Sequence, residues 1–348
     1  MNPLADDLDH VLTHTAGLWE ELRGRRIFIT GGTGFFGCWL LESFAWANDK
    51  LGLNASALVL TRNLKSFASR MPHLAGRSDL NFLEGDVRDF SFPAGKFDFV
   101  IHAGTTSSAP VEPLEMFDTI VNGTRRMLEF AATHETRKLL FISSGAVYGR
   151  QPSELEHISE DYSGAPDPLD PASAYAEGKR AAELLCAIMG RKHGVEIMIA
   201  RCFAFVGPHL PLDAHFAVGN FIRDGLRGGP IQVSGDGTPL RSYLYAADLA
   251  IWLWTILFKG KSCRPYNVGS EAAASIAQLA DIVAKSFKPD LQVAIAKPPV
   301  PGIPPQRYVP MTNRAKKELG LEPRIELPRA VAKTILWHQA NIKRKSKS

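Results

Sequence analysis

The chain has 348 residues, of which 45% are hydrophobic and 22% charged, and its formal net charge is +4. This is ordinary globular composition, which excludes a largely disordered chain, a collagen-like fibre and a disulfide-stapled mini-protein. The small excess comes mainly from Arg23, Arg25 and Arg26 and from Lys343, Arg344, Lys345 and Lys347; it is not the basic stripe of a nucleic-acid binder, and an anionic small molecule suits so nearly balanced a chain equally well.

In chain order, residues 8–23 place Leu8, Val11, Leu12, Leu18 and Leu22 at helical spacing, which predicts a short amphipathic helix. Arg26–Thr30 (RIFIT) is a β-branched and aromatic run that ends in glycines and reads as a strand. Phe36–Ala47 follows as a helix, Ala57–Thr61 as a second strand, Leu80–Leu83 as a third and Phe97–His102 as a fourth. A helix is predicted over Pro113–Thr133, a fifth strand over Lys138–Ser143, a helix over Ser173–His193 and a sixth strand over Glu196–Arg201. Continuous apolar strands alternating with helices specify an α/β fold with a doubly wound parallel sheet covered on both faces. Ligands on such sheets bind beyond the carboxyl ends of the strands, near the switch point.

Past residue 205, segments rich in Gly and Pro appear at 207–213, 228–230, 235–239 and 297–305. They predict a smaller C-terminal α+β substrate lobe built from 206–245 and 270–340, with 246–269 returning to the main domain as a helix and a strand. The expected organisation is an N-terminal helical extension (1–24), a main α/β domain (25–205), that second lobe, and a basic tail (341–348). The four cysteines, Cys38, Cys186, Cys202 and Cys263, lack CxxC spacing, so neither a metal site nor a disulfide framework is indicated. The N-terminus is acidic with no apolar run after a basic start, and no apolar stretch is long enough for a bilayer. A cytoplasmic protein with reduced thiols, no membrane partner and no nucleic acid is expected.

The first strand runs into Gly31-Gly32-Thr33-Gly34-Phe35-Phe36-Gly37 and then a helix. A glycine at the turn lets the backbone approach a pyrophosphate, and the helix N-terminus offers unpaired N–H groups and a positive dipole end. A third glycine, Gly37, lets helix and strand pack closely. In this strand–turn–helix context the pattern predicts a dinucleotide-binding Rossmann domain, with Gly31, Gly34, Phe35, Phe36 and Gly37 at the cofactor. Dinucleotide folds commonly carry an acid after the second strand; here the residues are Arg62 and Asn63. An arginine can clamp a 2′-phosphate, so NADP is favoured over NAD, although Arg62 is also readable as an ordinary surface arginine. Asp86 and Val87 follow the third strand where adenine would lie, and Gly85-Asp86 is equally readable as a turn. Ala103 and Gly104, after the fourth strand, are expected to line the cofactor, while His102 reads as a packed structural histidine.

The fifth strand leads into Ser143-Ser144-Gly145-Ala146-Val147-Tyr148-Gly149, and Tyr175 and Lys179 lie four residues apart on a later helix. That spacing puts both side chains on one face. A neighbouring ammonium favours the phenolate of a tyrosine that otherwise titrates near 10. A serine at a strand end can hold the reacting oxygen, which together gives proton transfer at a C–OH/C=O centre beside a nicotinamide.

TGGTGFFG, SSGAVYG and YAEGK, in this order, resemble the extended short-chain dehydrogenase/reductase family, and more narrowly its nucleotide-sugar epimerase/dehydratase branch. The resemblance covers about residues 25–335. It implies an NAD(P)-dependent enzyme acting on a nucleoside-diphosphate sugar, in which Ser144 is the catalytic Ser/Thr, Tyr175 the acid/base, and Lys179 the residue that binds the nicotinamide ribose and tunes Tyr175. GDGTPLRSYLYAADLA is similar to a branch segment in which Arg241 would hold the diphosphate and Asp248 would be structural. Arg307 resembles a second diphosphate-binding arginine, and Asn220 is expected to join these two at the substrate. A homodimer is also expected. Two departures matter. The 4,6-dehydratases carry an Asp-Glu pair directly after the catalytic Ser/Thr, whereas this chain has Gly145 and Ala146. Many members also have Asn where this chain has Ala204.

Gly145 and Ala146 cannot transfer protons, which favours chemistry confined to sugar C4: a 4-keto-sugar reductase or a 4-epimerase. A 4,6-dehydratase or a sugar-acid decarboxylase is the alternative reading. A non-catalytic cofactor-binding interaction protein is more remote, because Tyr175 and Lys179 are both kept.

Overall fold

The computed structural model describes residues 2–104, 111–214 and 216–345. The chain begins with helix α1 (Ala5–His14) and a separate 3-10 turn, Trp19–Leu22. The single helix expected over 8–23 is broken because Gly17 takes a left-handed φ of +79° between them. Then come strand β1 (Arg26–Thr30), α2 (Phe35–Leu51), β2 (Ser56–Thr61), the short helices α3 (Leu64–Arg70) and α4 (Pro72–Ala75), β3 (Leu80–Glu84), β4 (Phe99–His102), α5 (Pro113–Thr133), β5 (Lys138–Ser144), α6 (Ala174–His193) and β6 (Glu196–Cys202). Helices α3 and α4 were not expected; they bury little beyond Phe67 and Leu74, too few apolar positions to show a period.

The later elements are β7 (Phe205–Val206), α7 (Ala217–Leu226), β8 (Ile231–Val233), β9 (Leu240–Ser242), β10 (Leu244–Tyr245), α8 (Ala246–Lys259), β11 (Pro265–Val268), β12 (Ala273–Ser275), α9 (Ile276–Lys285), β13 (Val293–Ile295), β14 (Arg307–Tyr308), α10 (Asn313–Leu319) and α11 (Leu327–Lys345). Seven strands form one sheet in the order β11-β6-β5-β4-β1-β2-β3, and every pairing in it is parallel. The chain runs outward through β2 and β3, then returns across β1 to β4. This leaves a crevice at the carboxyl ends of β1 and β4. The smaller sheets are β12-β9-β14, β13-β8 and β10-β7.

Strand periodicity explains the two cores. Ile27 and Ile29 join a cluster with α2 and α8, while Phe28 between them joins a second cluster with α5 and α6. Helix α8 is buried along nearly its whole length, Ala246 to Phe258. A helix that is apolar all round needs cover on every side. The sheet covers one side; Leu8 and Val11 of α1 and Trp19 belong to the same core on another, and the Trp19 ring lies 4.8 Å from Trp254. No helix among the described residues is long and apolar enough to cross a membrane.

His102, at the end of β4, is held between the hydroxyls of Thr30 (2.7 Å) and Thr124 (3.1 Å). Burial, joined by the charge of Lys179, pushes its pKa down to about 3. An unfolded histidine titrates near pH ~6.5, so in the interval below that the unfolded chain binds a proton that the folded chain refuses. The stability from this neutral histidine is present above pH ~6.5 and is lost as pH falls, by about 1.4 kcal/mol per pH unit. Urea melts at pH 7, 6 and 5 are expected to show declining stability, with a shallower decline in His102→Asn; equal slopes would contradict the assignment.

Candidate active site

The turn after β1 meets the end of β4 in the crevice. The Ala103 N–H donates to the Thr30 carbonyl at 3.2 Å, and the Gly104 N–H to the Thr30 hydroxyl at 3.0 Å. Gly31 has a φ of +69°, and a Cβ there would lie 2.4 Å from the Ala103 carbonyl oxygen. A Cβ on Gly37 would lie 2.3 Å from the Gly31 carbonyl oxygen, so this glycine closes α2 onto the turn. Gly34 differs: it is the N-cap of α2, offers no side chain to cap it, and faces only the Gly31 carbonyl oxygen at 3.4 Å. A bare helix start beside a glycine with open space suits a pyrophosphate. Phe35 and Phe36 follow, half-buried, with Phe36 edge-on to Phe205 at 5.0 Å.

Arg62 and Asn63 are exposed past β2. The Asn63 carboxamide caps α3 by accepting from the Ser66 N–H at 2.8 Å. Asp86 lies past β3, where Arg88 grips its carboxylate at 2.8 and 2.9 Å. That bond, with help from Arg62, holds the carboxyl below its usual range. Val87 is buried against Gly123.

Ser144 ends β5 and caps the 3-10 turn Gly145–Tyr148, accepting from the Ala146 N–H at 3.1 Å. Tyr175 and Lys179 lie in the first turns of α6. The buried Lys179 ammonium donates to the Ile142 carbonyl at 2.7 Å and sits 4.8 Å from the centre of the Phe141 ring and 6.0 Å from that of Tyr175. Burial pulls its pKa down to about 8. The structure therefore brings Ser144, Tyr175 and Lys179 together. It differs from expectation in one respect: burial pushes the Tyr175 phenol above its usual value, and the group that pulls it back is the Ser144 hydroxyl rather than Lys179. The ammonium is directed to a backbone carbonyl instead of the phenol oxygen.

Arg241 on β9 and Arg307 on β14 lie on adjacent parallel strands, where Leu240 pairs with Arg307 and Arg241 with Tyr308. The Arg241 guanidinium donates to its neighbour's carbonyl, Leu240, at 2.8 Å and lies 5.9 Å from the centre of the Tyr308 ring. Burial lowers its pKa, and the nearby Tyr243 and Tyr308 hydroxyls oppose this. Asn220 lies on α7, where its carboxamide oxygen accepts from Arg223 at 3.1 Å.

Tyr308 and Phe203 were missed by sequence reasoning. The Ser144 hydroxyl bears on the Tyr308 phenol as it does on Tyr175, favouring the ionised form of each, although burial still drives the Tyr308 phenol well above its usual value. The Phe203 ring lies tilted against Tyr308 with centres 4.7 Å apart, and a Cβ on Gly145 would meet it at 2.7 Å. Aromatic carbon thus fills the space beside residue 145. The only cue was that Tyr308 adjoins Arg307.

A profile of the NAD dependent epimerase/dehydratase family matches residues 27–269. The chain is 33% identical over 307 residues to UDP-glucuronic acid decarboxylase 6 of Arabidopsis thaliana, a match spanning 87% of this chain and 85% of that protein. It is 31% identical over 332 residues to UDP-glucuronic acid decarboxylase 1 of Xenopus tropicalis, spanning 92% and 75%. Its fold is similar to that of Thermotoga maritima UDP-glucose 4-epimerase, solved with UDP-glucose, with a TM-score of 0.76, 23% identity, and coverage of 91% and 99%. It is also similar to Bacillus cereus UDP-glucuronic acid 4-epimerase in complex with UDP-glucuronic acid and NAD, with a TM-score of 0.74, 22% identity, and coverage of 91% and 99%.

Two of the glycines give separable outcomes. Gly37→Ala forces α2 away from the turn and is expected to destabilise the protein by about 1–3 kcal/mol in denaturant melts. Gly34→Ala has room in the fold and is expected to melt normally while weakening dinucleotide binding in calorimetric titration. Normal dinucleotide affinity in Gly34→Ala would remove this turn from the cofactor site.

Proposed function

The chain belongs to the NAD-dependent epimerase/dehydratase family of nucleotide-sugar-modifying enzymes, and on that premise we propose that it oxidises C4 of a UDP-hexuronic acid and releases the C6 carboxylate as CO2. The observation that carries the C4 chemistry is the convergence of Ser144 and Tyr175 at the end of β5, with Lys179 beneath them. Bound NAD(P)+ would supply the hydride acceptor, and its ring charge would favour the Tyr175 phenolate. Tyr175 takes the proton from O4 while Ser144 holds that oxygen. Once C4 is a ketone, a carboxylate on C5 leaves as CO2 and its bonding electrons pass to O4, where the Tyr175 and Ser144 hydroxyls stabilise the charge. C5 then takes a proton from solvent, and as C4 would be restored to the alcohol level by the bound reduced dinucleotide, Tyr175 returns its proton to O4.

Gly145 and Ala146 weigh differently against the two alternatives. Dehydration needs proton removal at C5 and proton delivery to the departing C6 oxygen, and neither residue can do either. Decarboxylation uses the C4 ketone as its electron sink and asks nothing of these positions for C–C cleavage. The identity to UDP-glucuronic acid decarboxylases across most of the chain therefore supports decarboxylation over the C4-only reading favoured by sequence. C4 epimerisation or 4-keto reduction is the second reading, favoured by the sufficiency of the same three residues for it.

One assay separates these. Incubation with UDP-glucuronic acid and NADP+ or NAD+, followed by mass spectrometry and chromatography, is expected to give a UDP-pentose with loss of CO2. UDP-galacturonic acid of unchanged mass would establish epimerisation instead, and a 4-keto-6-deoxy product from UDP- or dTDP-glucose would overturn the reading of Gly145 and Ala146. In the same assay Tyr175→Phe is expected to lower turnover by roughly 10²–10⁴-fold with cofactor still bound.

For the cofactor we infer a preference for NADP, supported by the exposed Arg62 past β2 where an acid would repel a 2′-phosphate. The Bacillus cereus 4-epimerase was solved with NAD, so the comparison of the two dinucleotides is the decisive measurement. Arg62→Ala is expected to cost about 1.5–3 kcal/mol in NADP binding and little in NAD binding. Equal losses for both would refute the preference.

A further inference from the structure

We propose that Glu183 is a positioning residue that, through Ser143, sets the approach of Ser144 to Tyr175. The inference rests on the reading of Ser144 and Tyr175 given above. Tyr175, Lys179 and Glu183 stand at i, i+4 and i+8 on α6, and so form one stripe along the helix. The stripe meets three consecutive residues of β5. Lys179 donates to the Ile142 carbonyl at 2.7 Å, Glu183 accepts from the Ser143 hydroxyl at 2.5 Å, and the Ser144 hydroxyl bears on the Tyr175 phenol. Helix and strand are therefore fastened at two points directly behind the pair that handles the proton.

Glu183 is itself fixed. Arg201 on β6 forks onto its carboxylate at 2.7 and 3.0 Å, and both side chains are largely buried, with 13% and 15% of their surfaces exposed. The same guanidinium donates to the Tyr148 hydroxyl at 2.9 Å, and Tyr148 donates to the Asn267 carboxamide at 2.8 Å. Tyr148 closes the 3-10 turn that Ser144 opens. One buried carboxylate thus holds the residue before Ser144 directly and the end of the turn after it through Arg201. A bidentate pair of this kind has little rotational freedom. A pair needed only for stability would not have to reach the Ser143 hydroxyl.

The groups that bear on the Tyr175 phenol are Ser144 on β5, Cys202 on β6, Lys179 on its own helix and Tyr308 on β14. Glu183 also favours the charged form of Lys179, so replacing it changes two things at once. Removing Glu183 entirely would leave Arg201 buried and unpaired, which endangers folding. Ser143→Ala avoids both problems, because the ion pair with Arg201 remains.

The test is the ionisation of Tyr175 in NADP+-loaded protein, followed as the tyrosinate absorbance that disappears in Tyr175→Phe. In Ser143→Ala the midpoint is expected to rise by about one pH unit, the worth of one hydrogen bond, with the melting temperature little changed. Ser143→Thr, which keeps the hydroxyl, is expected to restore the wild-type midpoint, and Glu183→Gln to shift it upward. An unchanged midpoint in folded Ser143→Ala overturns the proposal, as does a Ser143→Thr protein that folds but fails to restore it. No sugar substrate enters the measurement, so failure here is distinct from failure of the decarboxylation assay.

Discussion

A buried ammonium group joins the chemistry to the scaffold. Lys179 gives up solvation to donate to the Ile142 carbonyl, and burial drags its pKa down to about 8. That value still leaves it mostly charged at neutral pH. The bond anchors α6 to β5 one turn behind Tyr175 and two residues before Ser144. The placement of Tyr175 relative to Ser144 depends on this contact, and much of the nearby architecture serves to keep it dry. Phe141 lies against the ammonium on the strand side, and Cys186 and Cys202 are buried close by.

Around Tyr175, two physical effects oppose each other. A charged neighbour would favour the phenolate, but removing a phenol from water disfavours it more strongly. Here burial prevails and the Ser144 hydroxyl only moderates it. A tyrosine held in its neutral form is a reserve acid that becomes a base when further positive charge arrives beside it. An oxidised nicotinamide ring carries such a charge, so proton transfer would be coupled to possession of the correct redox form of the cofactor.

The N-terminal extension belongs to the same economy of burial. Helix α8 could not remain apolar on all sides without Trp19 and α1 packed over it. At its start Asp248, with 0% exposure, accepts the N–H groups of Arg324 and Ile325 and lies 3.3 Å from His10. Asp7 likewise receives the Tyr245 hydroxyl at 2.8 Å and pairs with Lys333 at 3.0 Å. These contacts tie the first helix, the base of α8 and the segment leading into α11 into one unit. They give Asp248 the structural role that its motif suggested.

The sequence by itself determined the strand–helix rhythm, the glycine turn, and the pairing of Tyr175 with Lys179. Each of these is written in neighbouring residues, where backbone geometry and a period of 2 or 3.6 leave little choice. It also marked Gly145 and Ala146 as unable to move protons, since that follows from side-chain chemistry alone. It did not show that burial outweighs the lysine at Tyr175, because desolvation depends on everything packed around the phenol. Nor did it show Tyr308 at Ser144, Phe203 over Gly145, or Arg201 clasping Glu183. These contacts join strands and helices far apart in the chain, and only the sheet order and the register of β9 with β14 bring them together. Local pattern specifies which elements form; the shared, dry space between them decides how each acid and base behaves.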